Sequence, residues 1–216
     1  MDLHFLRFTS YAGTSLIILA VFYPAMVYRG KLRERYSLLN HFISELGEVG
    51  VSRAAWAFNS GLFIGGLVLL PTILGLGIIF GSLLGWLGTI AGIIAVLGVA
   101  AVGIFPMNNL KPHAFAAMTY FRSGLAMLFF FGLAILFQPS GRSHVPQAAN
   151  ILSLVAFLSY AAFLALPLVR QPKKRASEML DPEQTPERPR VWDLAALEWL
   201  VFFSTIAWLF GITFFL

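Results

Sequence analysis

Residues 54–105 read A-A-W-A-F-N-S-G-L-F-I-G-G-L-V-L-L-P-T-I-L-G-L-G-I-I-F-G-S-L-L-G-W-L-G-T-I-A-G-I-I-A-V-L-G-V-A-A-V-G-I-F, with no charged side chain. About 20 helical residues cross the roughly 30 Å of bilayer hydrocarbon, so this stretch is long enough to cross twice. Gly81-Ser82 is a flexible break near its middle. The segment therefore reads as two antiparallel spans, Ala54–Phe80 and Leu83–Phe105, joined by a tight turn. Pro71 lacks an amide N–H, removes one helical hydrogen bond, and is expected to kink or tilt the first of the two.

On either side of this stretch the same hydropathy window finds four more spans: Phe8–Val27, His113–Phe137, Ala149–Val169 and Trp192–Leu216. The expected fold is all-α, a polytopic transmembrane bundle of six helices forming a single transmembrane domain over residues 1–216. Composition agrees, at 58% hydrophobic, 12% charged and a mean hydropathy of +0.79, because in a bilayer apolar side chains are the soluble ones. The first apolar run is too long for a cleaved signal peptide, and no small-x-small site precedes Arg29. The absence of cysteine excludes disulfides, thiolate catalysis and cysteine-based metal sites. No glycine-rich loop follows a strand, and no cofactor is expected. Gly61-x-x-x-Gly65, Gly77-x-x-x-Gly81-x-x-x-Gly85 and Gly88-x-x-x-Gly92 place small residues on single helix faces, which predicts close packing of the second span on the third.

The positions of the 15 Lys and Arg set an orientation. With six spans, one side of the membrane collects the loops after spans one, three and five. Twelve basic residues fall there: Arg29, Lys31, Arg33, Arg35, Arg53, Lys111, Arg170, Lys173, Lys174, Arg175, Arg188 and Arg190. The other side has only Arg7 and Arg142, and Arg122 lies within the fourth span. The positive-inside rule then puts the basic side in the cytoplasm and both termini outside. The net charge of +5 belongs to a rim facing anionic headgroups, so membrane lipids are the expected partners, with other membrane-protein subunits as a further option and no nucleic acid. Four prolines among charged residues make about 170–191 a flexible cytoplasmic linker, whose Lys173-Lys174-Arg175 cluster reads first as a topology signal.

The first basic loop holds S-L-L-N-H-F-I-S-E-L at 37–46, closed by Gly47. At 100° per residue, Ser37, His41, Ser44, Glu45 and Glu48 gather on one face, and Leu39, Phe42, Ile43 and Leu46 on the other. This predicts a short interfacial amphipathic helix after the first span, apolar side down. Four pieces, I-S-E-L-G at 43–47, F-N-S-G at 58–61, G-I-F-P at 103–106 and His113, resemble a prokaryotic six-helix membrane family of unknown function. That family is similar to the DRAM and Frag-type membrane proteins of eukaryotes, and its prokaryotic membership implies an inner (plasma) membrane for this chain. The resemblance implies a six-helix bundle and a place in lipid or membrane homeostasis. In the eukaryotic group the first loop is expected to face the lumen, whereas the basic residues here place it in the cytoplasm.

Two groups of candidate residues follow. The loops after spans one and three share a membrane side, so His41, Ser44 and Glu45 should face Asn108, Asn109, Lys111 and His113, with Asn59 entering from the same side. Such donors and acceptors at a bundle mouth suit a polar ligand or lipid headgroup, or simply tie loop backbones together. Deeper in the membrane, Arg122 and Glu198 are expected to form an ion pair between the fourth and sixth spans, since ionised groups at depth normally face the interior and pair. Arg122 is nine positions from His113, half a turn out of phase, whereas Tyr120 at seven positions shares the His113 face.

A lipid hydrolase would use Ser44 as nucleophile, His113 or His41 as base and Glu45 to orient the imidazole. No nucleophile elbow accompanies these residues. A metal held by His41, His113 and Glu45 or Glu48 lacks a paired-ligand spacing. The leading expectation is a non-enzymatic bundle that binds lipid or a small amphiphile, or serves as an accessory subunit of a membrane complex.

Overall fold

A computed structural model describes residues 2–139, 145–169 and 189–216. Among them are seven α-helices: α1 Leu3–Val27, α2 Ala55–Val68, α3 Leu70–Phe80, α4 Leu83–Ile104, α5 Leu110–Leu136, α6 Asn150–Val169 and α7 Asp193–Phe215. With α2 and α3 joined as one span, six helices are long and apolar enough to cross a membrane. The chain is a multi-pass, all-helical membrane protein. Lys173-Lys174-Arg175 and most of the expected linker lie outside the described residues.

The helix ends follow local chemistry. α1 begins five residues before the expected Phe8 because the Asp2 carboxylate accepts the His4 amide at 2.9 Å and caps the first turn. The second span is interrupted at Leu69, two residues before Pro71 occupies the first turn of α3, where a missing N–H is tolerated. Gly81 adopts φ +56°, the left-handed conformation that glycine enters without strain, and ends α3. The Ser82 hydroxyl then accepts the Gly85 amide at 3.1 Å and starts α4. The turn read at Gly81-Ser82 is thus a C-cap followed directly by an N-cap.

The spans form a ring in chain order. α1 packs on α2, α2 and α3 on α4, α4 on α5, α5 on α6, α6 on α7, and α7 closes on α1. Met26, Trp56, Leu83 and Phe115 are among the large apolar side chains left on the outside. That pattern suits a bilayer, since a water-soluble monomer rarely exposes so much contiguous apolar surface. Within the ring, hydrogen bonds join helices directly: Thr9 to Thr72 at 2.9 Å, Ser10 to Thr213 at 2.7 Å, and the Trp208 indole to the Ser153 hydroxyl at 2.9 Å.

Close approaches fall on the glycines: Gly77 against Thr89 and Gly92 against Ile73 join the second and third spans as the sequence reading expects, but Gly61 and Gly65 do not. Gly61 and Gly65 meet Ala20 and Ile17 of α1, so this pair packs the second span on the first. The expected contact between the second and third spans does form, through Gly66 against Val96 and Ala100 and Gly103 against the Asn59 and Phe63 backbone. A small-residue face identifies a close contact without naming which neighbour makes it.

Candidate functional site

The loop after α1 folds inward over one end of the ring. Residues 37–48 do not form the expected amphipathic α-helix at the interface. Only Ile43–Gly47 is helical, as one 3-10 turn, with the Glu45 carboxylate accepting the Phe42 amide at 2.9 Å. Its two faces do not separate into solvent and lipid sides, because His41, Ile43, Glu45 and Leu46 are all buried while Leu39 is exposed. The segment is too short to hold a helical stripe, and the ring offers cover to polar and apolar side chains alike.

Four connections hold this cap in place. The Ile43 amide donates to Glu198 Oε2 of α7 at 2.7 Å. The Asn108 side chain exchanges hydrogen bonds with both backbone groups of Val49, at 2.7 and 2.9 Å. Asn59 donates to the Gly47 carbonyl at 3.1 Å. The Trp192 amide donates to the Leu39 carbonyl at 2.7 Å, and the Trp192 ring packs on Phe42 with centroids 5.0 Å apart. Tyr36 donates to the Phe42 carbonyl at 2.9 Å. Burial, with the nearby carboxylates of Glu198 and Glu45, pushes the Tyr36 phenol well above its usual range, so it stays a donor.

Beneath the cap lies a cavity of about 130 Å³ lined by residues of every span. Most of its wall is aliphatic or aromatic, for example Leu62, Val99, Met127 and Phe202. Ser44, His113 and Glu198 are polar residues on that wall. Tyr120 also lines it, on the same helix face as His113, and its hydroxyl accepts from Tyr160, which in turn lies 3.0 Å from Thr205. This tyrosine pair was not legible beforehand. A tyrosine buried within an apolar span does, however, signal a partner for its hydroxyl.

The sequence-predicted residues separate accordingly. Ser44 and His113 reach one cavity, but they are not bonded to each other. The Ser44 hydroxyl points to Met107 Sδ at 3.8 Å, and His113 Nδ1 lies 2.8 Å from the Phe105 carbonyl. His41 packs instead among Tyr28 and Tyr36, with Nδ1 2.7 Å from the Asn40 side-chain oxygen. Neither serine–histidine pairing of the hydrolase reading is formed. Asn59 and Asn108 tie loop backbones, whereas Asn109 and Lys111 are exposed at the start of α5. No group of side chains suited to a metal occurs among the described residues. The Arg122–Glu198 ion pair is absent: Arg122 is exposed on the outside of α5, and Glu198 is held by a backbone amide. The guanidinium leaves the bundle on its long stem, opposite in phase to His113.

The comparison with known families is decisive on membership. Residues 16–214 match the family described as a protein of unknown function, DUF998. The chain belongs to that family. No curated protein and no solved structure matches it. Family membership brings no activity with it.

Proposed function

We propose that this DUF998 protein is a non-catalytic membrane protein that binds a small amphiphile inside its ring of helices. The observation that carries this is the cavity, mainly apolar and touched by every span, with His113 and Glu198 on its wall and Ser44 on the tethered loop that covers it. Such a site matches an amphiphile: an apolar body among side chains and a polar end near the few groups able to bond it. At about 130 Å³ it suits a small molecule or the end of a longer one rather than a whole lipid. The resemblance to DRAM and Frag-type proteins supports a place in membrane homeostasis, with membrane lipids as partners and other membrane-protein subunits as the alternative. The basic residues support a cytoplasmic capped end with both termini outside, and the resemblance to a prokaryotic family supports an inner membrane.

The test is chemical. The full chain is purified, its bound small molecules are extracted, and they are identified by mass spectrometry beside those of Ala117→Leu, which fills the cavity. Wild type should yield an amphiphile near one per chain, and the filled variant should lose it. Equal recovery from both, or none from wild type, would overturn the reading.

A further inference from the structure

The polar groups of the cavity narrow the ligand class, an inference that rests on the amphiphile-binding reading. Glu198 accepts one hydrogen bond, from the Ile43 amide to Oε2. A carboxylate carries about four acceptor sites, so most of its capacity is unused. Among the described residues no lysine or arginine lines the cavity, and Glu45 adds a second carboxylate acting on Glu198 from the loop. His113 contributes in the same sense. A backbone carbonyl only accepts, so Nδ1 donates to Phe105, and Nε2 of the neutral imidazole is left with a lone pair. Glu198 and His113 therefore present acceptors; the donors on the wall are neutral hydroxyls such as Tyr120, which accepts from Tyr160, so a cationic donor for Glu198 must arrive with the ligand.

We propose that the cavity binds a small primary amine. Its nitrogen donates to Glu198 and to His113 Nε2, and its apolar body, about the size of one six-membered ring, lies among Val99, Phe121 and Phe202. The size follows from the cavity volume of about 130 Å³, close to that of an apolar protein cavity of about 150 Å³ known to accept one benzene. The sign follows from the Glu198 carboxyl: a cation placed against it favours the ionised form, and the two opposite charges compensate each other in a low-dielectric interior, whereas an anion there would be opposed.

The experiment uses the full chain in nanodiscs with three probes of equal size: benzylamine, benzyl alcohol and benzoate. Dissociation constants are measured by calorimetry against empty nanodiscs, which removes partitioning into the bilayer. Benzylamine should bind at least tenfold more tightly than benzyl alcohol, and benzoate should be weakest. Glu198→Gln keeps an acceptor for the Ile43 amide and should abolish the preference for amine while retaining the alcohol. If that variant does not fold, Ala117→Leu supplies the second arm, and it should lose both probes with Glu198 intact. Equal binding of amine and alcohol by wild type overturns the amine assignment but leaves amphiphile binding standing. Failure of all three probes on wild type overturns both. An amine preference that survives in either variant places the binding elsewhere and overturns the assignment.

Discussion

Replacing Gly66 with alanine tests the contact on which the ring wall depends. A Cβ at Gly66 would sit 2.7 Å from the Val96 carbonyl oxygen and 3.0 Å from the Ala100 amide nitrogen of α4. Both are helix backbone atoms, so neither rotates aside. Reaching the 3.4 Å of ordinary contact requires α2 and α4 to part by about 0.7 Å, and Gly103 against the Asn59 backbone resists that movement from the next turns. Overpacking of this kind costs roughly 1–3 kcal/mol, whereas alanine regains about 0.8–1.0 kcal/mol of helix propensity over glycine. Gly132→Ala is the control, because its new Cβ would meet only the Asn150 side-chain oxygen at 3.3 Å and Ser153 Cβ at 3.5 Å. It keeps the propensity gain with little strain. Reversible unfolding in mixed detergent micelles should separate the two variants by roughly 1–3 kcal/mol, with Gly66→Ala the less stable. Equal stabilities would refute the close backbone approach of α2 and α4.

Further outcomes are expected. Arg122→Gln should change stability by less than about 0.5 kcal/mol, and Glu198→Gln should cost the same in either background; coupling between them in a double-mutant cycle would restore the ion pair. Asn108→Ala removes both bonds to Val49 and should cost about 1–2 kcal/mol, with faster hydrogen exchange at the Val49 amide as the direct readout. The Tyr36 phenol holds its proton more tightly in the folded chain, so its contribution is complete below about pH 10 and declines as the pH rises beyond it. Wild type should therefore lose stability above pH 10 more steeply than Tyr36→Phe, and parallel curves would show that the phenol is not buried as described. Cysteines introduced at Asp2 and Arg53, both exposed, should be labelled from outside intact cells at the first position only, and the reverse would invert the orientation.

The spans were legible because hydropathy reports what dissolves in lipid, and Leu83–Ile104 ends within one residue of the reading. Helix ends were less so. Asp2 extends α1 past the apolar region by a capping bond that hydropathy does not register. At 37–48 the 100° phase argument assumed an α-helix, and the five residues of Ile43–Gly47 cannot sustain one. Glu198 was recognisable as a buried group in need of a partner. Its partner was not, because the Ile43 amide is backbone and carries no signature in residue type. The shared membrane side of the 43–49 loop and the 105–113 connection followed from counting spans, and Ser44 and His113 do meet one cavity. Which helices face one another, as at Gly61, depends on ring order, and nothing in a single helix encodes that.

Because neighbours in the ring are neighbours in the chain, each span that enters the bilayer during synthesis finds its first partner already inserted. The seam between α1 and α7 is different, since Ser10 and Thr213 meet across 203 positions of sequence. Closure must wait for the last helix, which also brings Glu198, the anchor of the loop. A ribosome that stops before α7 would thus leave an open trough with an untethered cover, a product that membrane quality control could distinguish from the finished protein by its unsealed side.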